Sequence, residues 1–192
     1  DEWIEKIKEK QPEFRDEKLE RYKKEFDIPQ YDAEILTESK HMADIFEETT
    51  AICGKPKKVS NWLMVETMRL LKEHSMEPED ISFSPANLAK LIGLTEAGTI
   101  NSSVAKEVFE QVFEKDVDPE SYVEEYGLKT VNDEGALEEV LKEVIAKNPK
   151  AIADYKGGKE KALGALVGQT MKAMKGKANP GMVNQKLREM LK

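Results

Sequence analysis

The stretch Gly158-Lys159-Glu160-Lys161-Ala162-Leu163-Gly164-Ala165-Leu166-Val167-Gly168-Gln169-Thr170-Met171-Lys172 decides how this chain folds. At about 100° per residue, Leu163, Leu166, Val167, Thr170 and Met174 gather on one side. That 3.6-residue period is the mark of a helix packing one face into a core. Measured from Gly164, Lys175 falls at about +20°, Gly168 at about +40°, Lys161 at about +60° and Lys172 at about +80°. Two positions without side chains therefore stand among three ammonium groups, beside the apolar stripe and not inside it. Glycine in a helix interior costs roughly 0.8–1 kcal/mol relative to alanine, so a pair one turn apart needs a reason. Two readings supply one. A neighbouring helix packs closely there, the last segment with Val183, Leu187, Met190 and Leu191 being suited to it, or a bulky ligand such as a phosphate ribbon approaches the backbone between the lysines.

Working outward, the charge is divided. From Ala146 to Lys192 there are 11 Lys plus Arg against three acids, Asp154, Glu160 and Glu189, a net of +8. The residues before carry 19 basic and 35 acidic side chains, a net of −16, and the two parts give the −8 of the whole chain. A pI near 5.1 conceals this asymmetry, which points to an anionic partner for the tail.

The same helical punctuation recurs through the tail. Asn132, Asn148-Pro149 and Asn179-Pro180 each put a side-chain oxygen at a helix start, and the prolines pre-set the first turn. Helices are predicted over about residues 133–147, 149–156, 158–175 and 180–191. Upstream, Trp3, Ile4 and Ile7 open a short amphipathic piece, and Phe14, Leu19, Tyr22 and Phe26 continue the spacing. Asp32 caps a segment whose stripe is Ile35, Leu36, Met42, Ile45 and Phe46. Val59 to His74, with Trp62, Leu63, Val65, Met68, Leu70 and Leu71, reads as a buried helix. Ser84-Pro85 and Asp118-Pro119 start two more, and Val104, Val108, Phe109, Val112 and Phe113 mark the helix between. No strand pattern and no solenoid-length repeat is found. The chain is thus all-α, a helical linker domain over residues 1–128 followed by a small helical-bundle tail domain over residues 129–192, joined near Leu128 to Asn132.

Several function classes are excluded or disfavoured. No segment approaches the roughly 20 apolar residues of a membrane span, and the start lacks the basic-then-apolar layout of a signal peptide. The chain opens at Asp1 without a methionine and directly in a helical pattern, which predicts a piece of something longer. The single cysteine, Cys53, cannot form an internal disulfide, and a reducing cytoplasmic setting fits; it reads as a buried small hydrophobe. His41, Cys53 and His74 match no zinc spacing. Gly157-Gly158 lacks the layout of a phosphate loop. Glu47-Glu48 and Glu138-Glu139 read as solvated faces. The tryptophans fall at apolar helical positions, which favours packing over base stacking. No nucleophile, base and orienting group assemble from the motifs present.

The run from Gly158 to Lys172, followed by Gly176-Lys177-Ala178-Asn179-Pro180 and Val183-Asn184, resembles the C-terminal tail of the B-subunit family of bacterial aspartyl/glutamyl-tRNA amidotransferases, a tail shared with YqeY-like proteins. The resemblance extends through Ile28-Pro29-x-Tyr31-Asp32-Ala33-x-x-Leu36-Thr37 and Ser60-Asn61-Trp62. Those upstream marks are found in the amidotransferase family and argue against a free-standing YqeY-like protein. The resemblance implies a helical domain and a tail domain that grips the body of tRNA, within a complex that amidates glutamate or aspartate misacylated on glutamine or asparagine tRNA. The parent would be an ATP-dependent carbon–nitrogen ligase with glutamine as amido donor. Its ATP, its Mg and its catalytic cradle domain would lie outside this chain, which is then no enzyme by itself and has no cofactor of its own. The implied partners are tRNA and, through the parent protein, amidotransferase subunits A and C, with no membrane.

On this reading the tRNA-binding residues are Lys159, Lys161, Gly164, Gly168, Lys172, Lys175, Lys177, Asn179, Lys186 and Arg188. The cations meet phosphates, and the Asn179-Pro180 helix start offers free backbone amides to one more. Such contacts read backbone and shape. With four or five phosphates engaged, log affinity is expected to fall with log salt at a slope of about −3 to −4.5. Relatives are expected to carry a lysine near Ser103; this chain has only Lys106 there, and that loop contributes no binding residue. The competing function is a protein-interaction module that docks on its partners in the complex through the basic tail.

Overall fold

A computed structural model of the chain describes residues 13–131 and 134–192. The amphipathic piece around Trp3, Ile4 and Ile7 and the cap expected at Asn132 lie outside the described residues. The chain divides into two compact units: Asp1–Ile92, as far as it is described, with Glu110–Asp116, and Gly93–Phe109 with Val117–Lys192.

The first unit is helical. Helix α1 spans Arg15–Glu25, α2 Gln30–Leu36, α3 Lys40–Cys53, α4 Pro56–Asn61 and α5 Met68–His74, with a π-helical turn over Trp62–Thr67. Asp32 therefore lies inside α2 and does not cap a longer segment. The stripe from Ile35 to Phe46 is split between two helices because Ser39 makes a fresh start: its hydroxyl accepts from the Met42 N–H at 3.3 Å. Gly54, at φ +65°, closes α3 in the left-handed conformation that glycine adopts without a Cβ clash. The segment from Val59 to His74 is helical throughout, but its middle turn is widened, and Thr67 Oγ1 bonds the Trp62 carbonyl at 3.1 Å. Val65, expected in the core, is 51% exposed.

Burial of Tyr22, Leu36, Phe46, Leu63, Leu88 and Leu91 gives this unit its core. Tyr22, Phe26 and Phe46 form a tilted aromatic cluster with ring centroids 4.7 to 5.8 Å apart. At its edge the Tyr22 hydroxyl donates to Glu47 at 2.7 Å, and Lys18 and Arg21 both pair with the same carboxylate at 3.0 Å. Glu47 is thus a bonded group at a helix junction and not part of a solvated face. Burial pushes its carboxyl upward, but the bonds from Tyr22 and Lys18 and the charge of Arg21 together outweigh that and hold it below the usual carboxylate range.

Helix α6, Pro85–Glu96, starts at Ser84 as the proline signal predicts, and α7 spans Ser102–Lys115. Asp116 accepts from the Ser84 N–H at 2.8 Å and from the Asn87 amide at 2.8 Å, so the C-terminal end of α7 fixes the start of α6 inside the first unit.

In the second unit α8 spans Pro119–Glu125, capped by Asp118 through the Ser121 N–H at 2.9 Å. Four helices follow: α9 Glu134–Lys147, α10 Pro149–Lys156, α11 Glu160–Ala173 and α12 Pro180–Met190. Leu137, Leu141, Val144, Leu163, Leu166, Val183, Leu187 and Leu191 close into one apolar core, joined by Ala178. These are the i, i+3, i+4 positions of amphipathic helices, and burying them together drives the bundle to form. An isolated parallel bridge pairs Val131 with Ala178. Asn101 caps α7 by accepting from the Val104 N–H at 2.9 Å, while its amide donates to the Gly176 carbonyl.

Candidate nucleic-acid interface

The glycine pair lies on α11. The chain enters it from α10 through Gly158 at φ +93°, a turn in which the Lys159 N–H bonds the Asp154 carbonyl at 3.0 Å. Leu163, Leu166 and Thr170 face the core, the Thr170 hydroxyl bonding the Leu166 carbonyl at 2.9 Å. On the opposite side Lys161, Gly164, Ala165, Gly168 and Lys172 are exposed. A Cβ placed on Gly164 or Gly168 would meet nothing within 4 Å. No described helix packs on the pair, so of the two readings close helix packing is set aside. What remains is an open strip of backbone with a lysine at either end. Lys172 lies eleven positions after Lys161, about 16 Å along the axis at 1.5 Å per residue.

Lys175 is not on this face. The helix ends at Ala173 because the chain folds back: the Gly176 N–H bonds the Met171 carbonyl at 2.8 Å and the Lys175 N–H bonds the Lys172 carbonyl at 3.1 Å. Lys175 and Gly176 take φ +52° and +73°, the left-handed exit of a Schellman-type turn. Lys175 is exposed on that turn, and half-buried Lys177 follows, its carbonyl accepting from the Val131 N–H at 2.8 Å.

The ten residues separate by what their charges already do. Lys161, Lys172, Lys175 and Lys177 have no carboxylate partner among the described residues. Lys159 pairs with Asp154 at 3.0 Å. Arg188 lies 3.7 Å from Glu160 and donates to Asn184 at 2.9 Å. Lys186 is the most engaged: 22% exposed, it meets Glu134 at 3.1 Å and Glu138 at 3.2 Å. The bond from Glu134, with that from Glu138, raises its pKa. Glu138 is thus an ion-pair partner that stitches α9 to α12, and not the free solvated carboxylate of the sequence reading.

Asn179 caps α12, but it leaves no free amides there. Its Oδ1 accepts from the Gly181 N–H at 2.8 Å and the Met182 N–H at 3.4 Å, Pro180 has no N–H, and the Val183 N–H bonds the Asn179 carbonyl. The donors expected to receive a phosphate are already satisfied within the helix start. Asn148 departs differently: its amide donates to the Val144 carbonyl at 2.8 Å, and it exchanges hydrogen bonds with Gln169 at 2.6 and 3.1 Å.

Two features of this candidate surface are not apparent from the sequence. Ala165 extends the small-residue strip, and its place on the helical wheel, about 20° beyond Lys172 on the same side as the glycine pair, was the available signal. A cavity of about 430 Å³ beside Lys172 is lined by Lys147, Asn148 and Gln169; its formation depends on a pairing 21 positions apart.

Elsewhere, His41 Nε2 lies 2.8 Å from the Ile81 carbonyl and His74 stacks near Phe113 at 5.8 Å. Cys53, expected to be buried, is half-buried at the end of α3. Trp62 is half-buried as well. Among the described residues no group of three or more His, Cys, Asp or Glu is placed to hold a metal ion. None of the described helices is long and apolar enough to cross a membrane.

A family model described as the GatB domain matches residues 44–191. The chain is 69% identical over 191 residues to the B subunit of the aspartyl/glutamyl-tRNA(Asn/Gln) amidotransferase of Agathobacter rectalis, covering 100% of this chain and 40% of the relative. It is 61% identical over 198 residues to that of Lachnospira eligens, with 100% and 41% covered. With that of Thermodesulfovibrio yellowstonii the identity is 47% over 192 residues, with 100% and 40% covered. The chain spans about 40% of the length of these relatives.

Proposed function

The chain belongs to the GatB domain family, and from that premise we propose that it is the tRNA-holding part of an amidotransferase B subunit, with the strip on α11 as its contact with the RNA backbone. One observation carries the reading. Lys161 and Lys172 stand without carboxylate partners among the described residues at the two ends of Gly164, Ala165 and Gly168, where nothing packs within 4 Å of a Cβ added to either glycine. A phosphate ribbon reaches the helix backbone only where side chains are absent, and it gains charge-assisted contacts where ammonium groups flank it.

Lys175 and Lys177 extend the cationic surface along the turn after α11. Lys159, Lys186 and Arg188 are secondary, since each must loosen a carboxylate before it meets a phosphate. Asn179 serves by holding α12 in place. In the parent complex this bundle would position misacylated tRNA for amidation driven by ATP and glutamine, and that chemistry would take place on residues outside this chain. Subunits A and C would be reached through the parent protein. The acidic remainder of the chain, at net −16, turns RNA away, so contact is confined to the tail.

Competition tests the reading. Folded tRNA should displace a labelled tRNA from the 192-residue chain at far lower phosphate concentration than heparin or unstructured RNA does. Equal displacement by all three would reduce the tail to a non-selective cation surface and favour docking on acidic partner proteins instead.

A further inference from the structure

The two upstream motifs, Ile28-Pro29-x-Tyr31-Asp32 and Ser60-Asn61-Trp62, take no part in the RNA reading, yet the first unit brings them to one cavity of about 350 Å³. Its apolar lining is Ile28, Pro29, Met64 and Val65, and its polar lining is Asp27, Asp32, Lys57, Ser60 and Asn61. Ser60 is 3% exposed and its hydroxyl finds no hydrogen-bond partner among the described residues. Asp32 is half-buried and likewise has none. The cavity's other carboxylate, Asp27, is occupied by the Lys57 ammonium, so the local cation does not serve Asp32.

Buried hydroxyls without partners are uncommon in folded proteins and each needs a cause. A second irregularity lies beside this one. The π-helical turn Trp62–Thr67 supplies Met64 and Val65 to the cavity, and single π turns within helices occur frequently at functional sites. Val65 and Tyr31, the neighbour of Asp32, are 51% and 69% exposed.

A carboxylate and a hydroxyl, both able to accept, that share one lining with aliphatic side chains match a planar multi-donor cation on an aliphatic stem. We propose that this cavity is a socket for an arginine side chain of a partner polypeptide, its guanidinium on Asp32 and Ser60 and its methylenes on Ile28, Pro29 and Met64. The guanidinium fork satisfies two acceptors at once, which an ammonium point charge does less well. The first unit, residues 1–92 with 110–116, carries 24 acidic and 16 basic side chains, a net of −8, which favours a cationic partner and disfavours RNA at this cavity. The proposal does not rest on the RNA reading.

Amide-resonance titration of the isotope-labelled 192-residue chain tests it, with N-acetyl-arginine methylamide as the probe and the citrulline and norleucine analogues as uncharged controls. The arginine probe should shift the Asp32, Ser60 and Asn61 resonances saturably, and loss of the charge-assisted bond in the citrulline analogue should weaken binding about tenfold. Asp32→Asn should weaken the arginine probe by about the same factor. Ser60→Ala should raise the melting temperature, by removing an unsatisfied hydroxyl, while weakening the probe. Equal binding of norleucine, an Asp32→Asn variant that binds arginine unchanged, or a Ser60→Ala variant that melts lower and still binds would each overturn the proposal.

Discussion

The Lys186 ammonium and the Glu138 carboxylate, 48 positions apart, meet at 3.2 Å and join α12 to α9. With Glu134, one turn earlier on α9, at 3.1 Å, this lysine is a fastening of the bundle before it is a contact for anything else. Lys186→Ala should therefore lower the melting temperature while changing tRNA affinity less than Lys172→Ala does; the reverse order would put Lys186 in the interface. The raised pKa fixes the sign of the pH effect. The stabilisation is complete below the ordinary lysine value of about 10.4 and is lost as pH rises through the higher folded-state value.

Gly164 and Gly168 offer a test in which stability and binding move in opposite directions. With nothing within 4 Å of an added Cβ, alanine at either position should stabilise the chain by about 0.8–1 kcal/mol, measured by denaturant unfolding. Leucine at either position should leave the fold intact and weaken tRNA binding, because its side chain stands where the phosphate ribbon passes. Destabilisation by alanine would mean that a helix packs on the pair after all.

Glu47 supplies a pH dependence at the acid end. Its carboxyl is held below the usual range by Tyr22, Lys18 and Arg21, against the upward push of burial. A depressed folded-state pKa contributes stability that is present above the unfolded value, about 4.3 for glutamate, and is lost as pH falls through the lower folded value. Unfolding followed from pH 7 to pH 3 should show a decline beginning near pH 5. In Glu47→Gln that decline should be shallower and begin from a lower plateau. A decline of unchanged size in the variant would remove Glu47 as a source.

The all-α class, the core stripe of α11 and the proline-marked starts of α6, α8, α10 and α12 were legible in the sequence because each depends on residues within a few positions of one another. Pro85 with Ser84 and Pro119 with Asp118 carry their own caps. The features that were not legible depend on distant partners or on a local turn that propensity does not register. Ser39 divides one apparent segment into α2 and α3 by capping Met42. The π-helical turn after Asn61 leaves the apolar spacing almost unchanged while turning Val65 outward. Spacing alone puts Lys175 on the helix face, although Gly176, next to it, signals the stop. The cations looked equivalent as a list. Only the fold shows that Lys186 is held by acids of α9 while Lys161 and Lys172 are not.

The measurement that bears most directly on the central claim is a salt titration of tRNA binding by fluorescence anisotropy, comparing the unaltered chain with Lys161→Glu/Lys172→Glu at equal helicity. The four candidate lysines without a carboxylate partner among the described residues predict a slope of log affinity against log salt of about −3 to −3.5 for the unaltered chain, and removal of two contacts should flatten it by about 1.5 and weaken binding at every salt concentration. An unaltered slope and affinity in the double variant would contradict the account, since the strip between those two lysines would then not be where the RNA backbone lies.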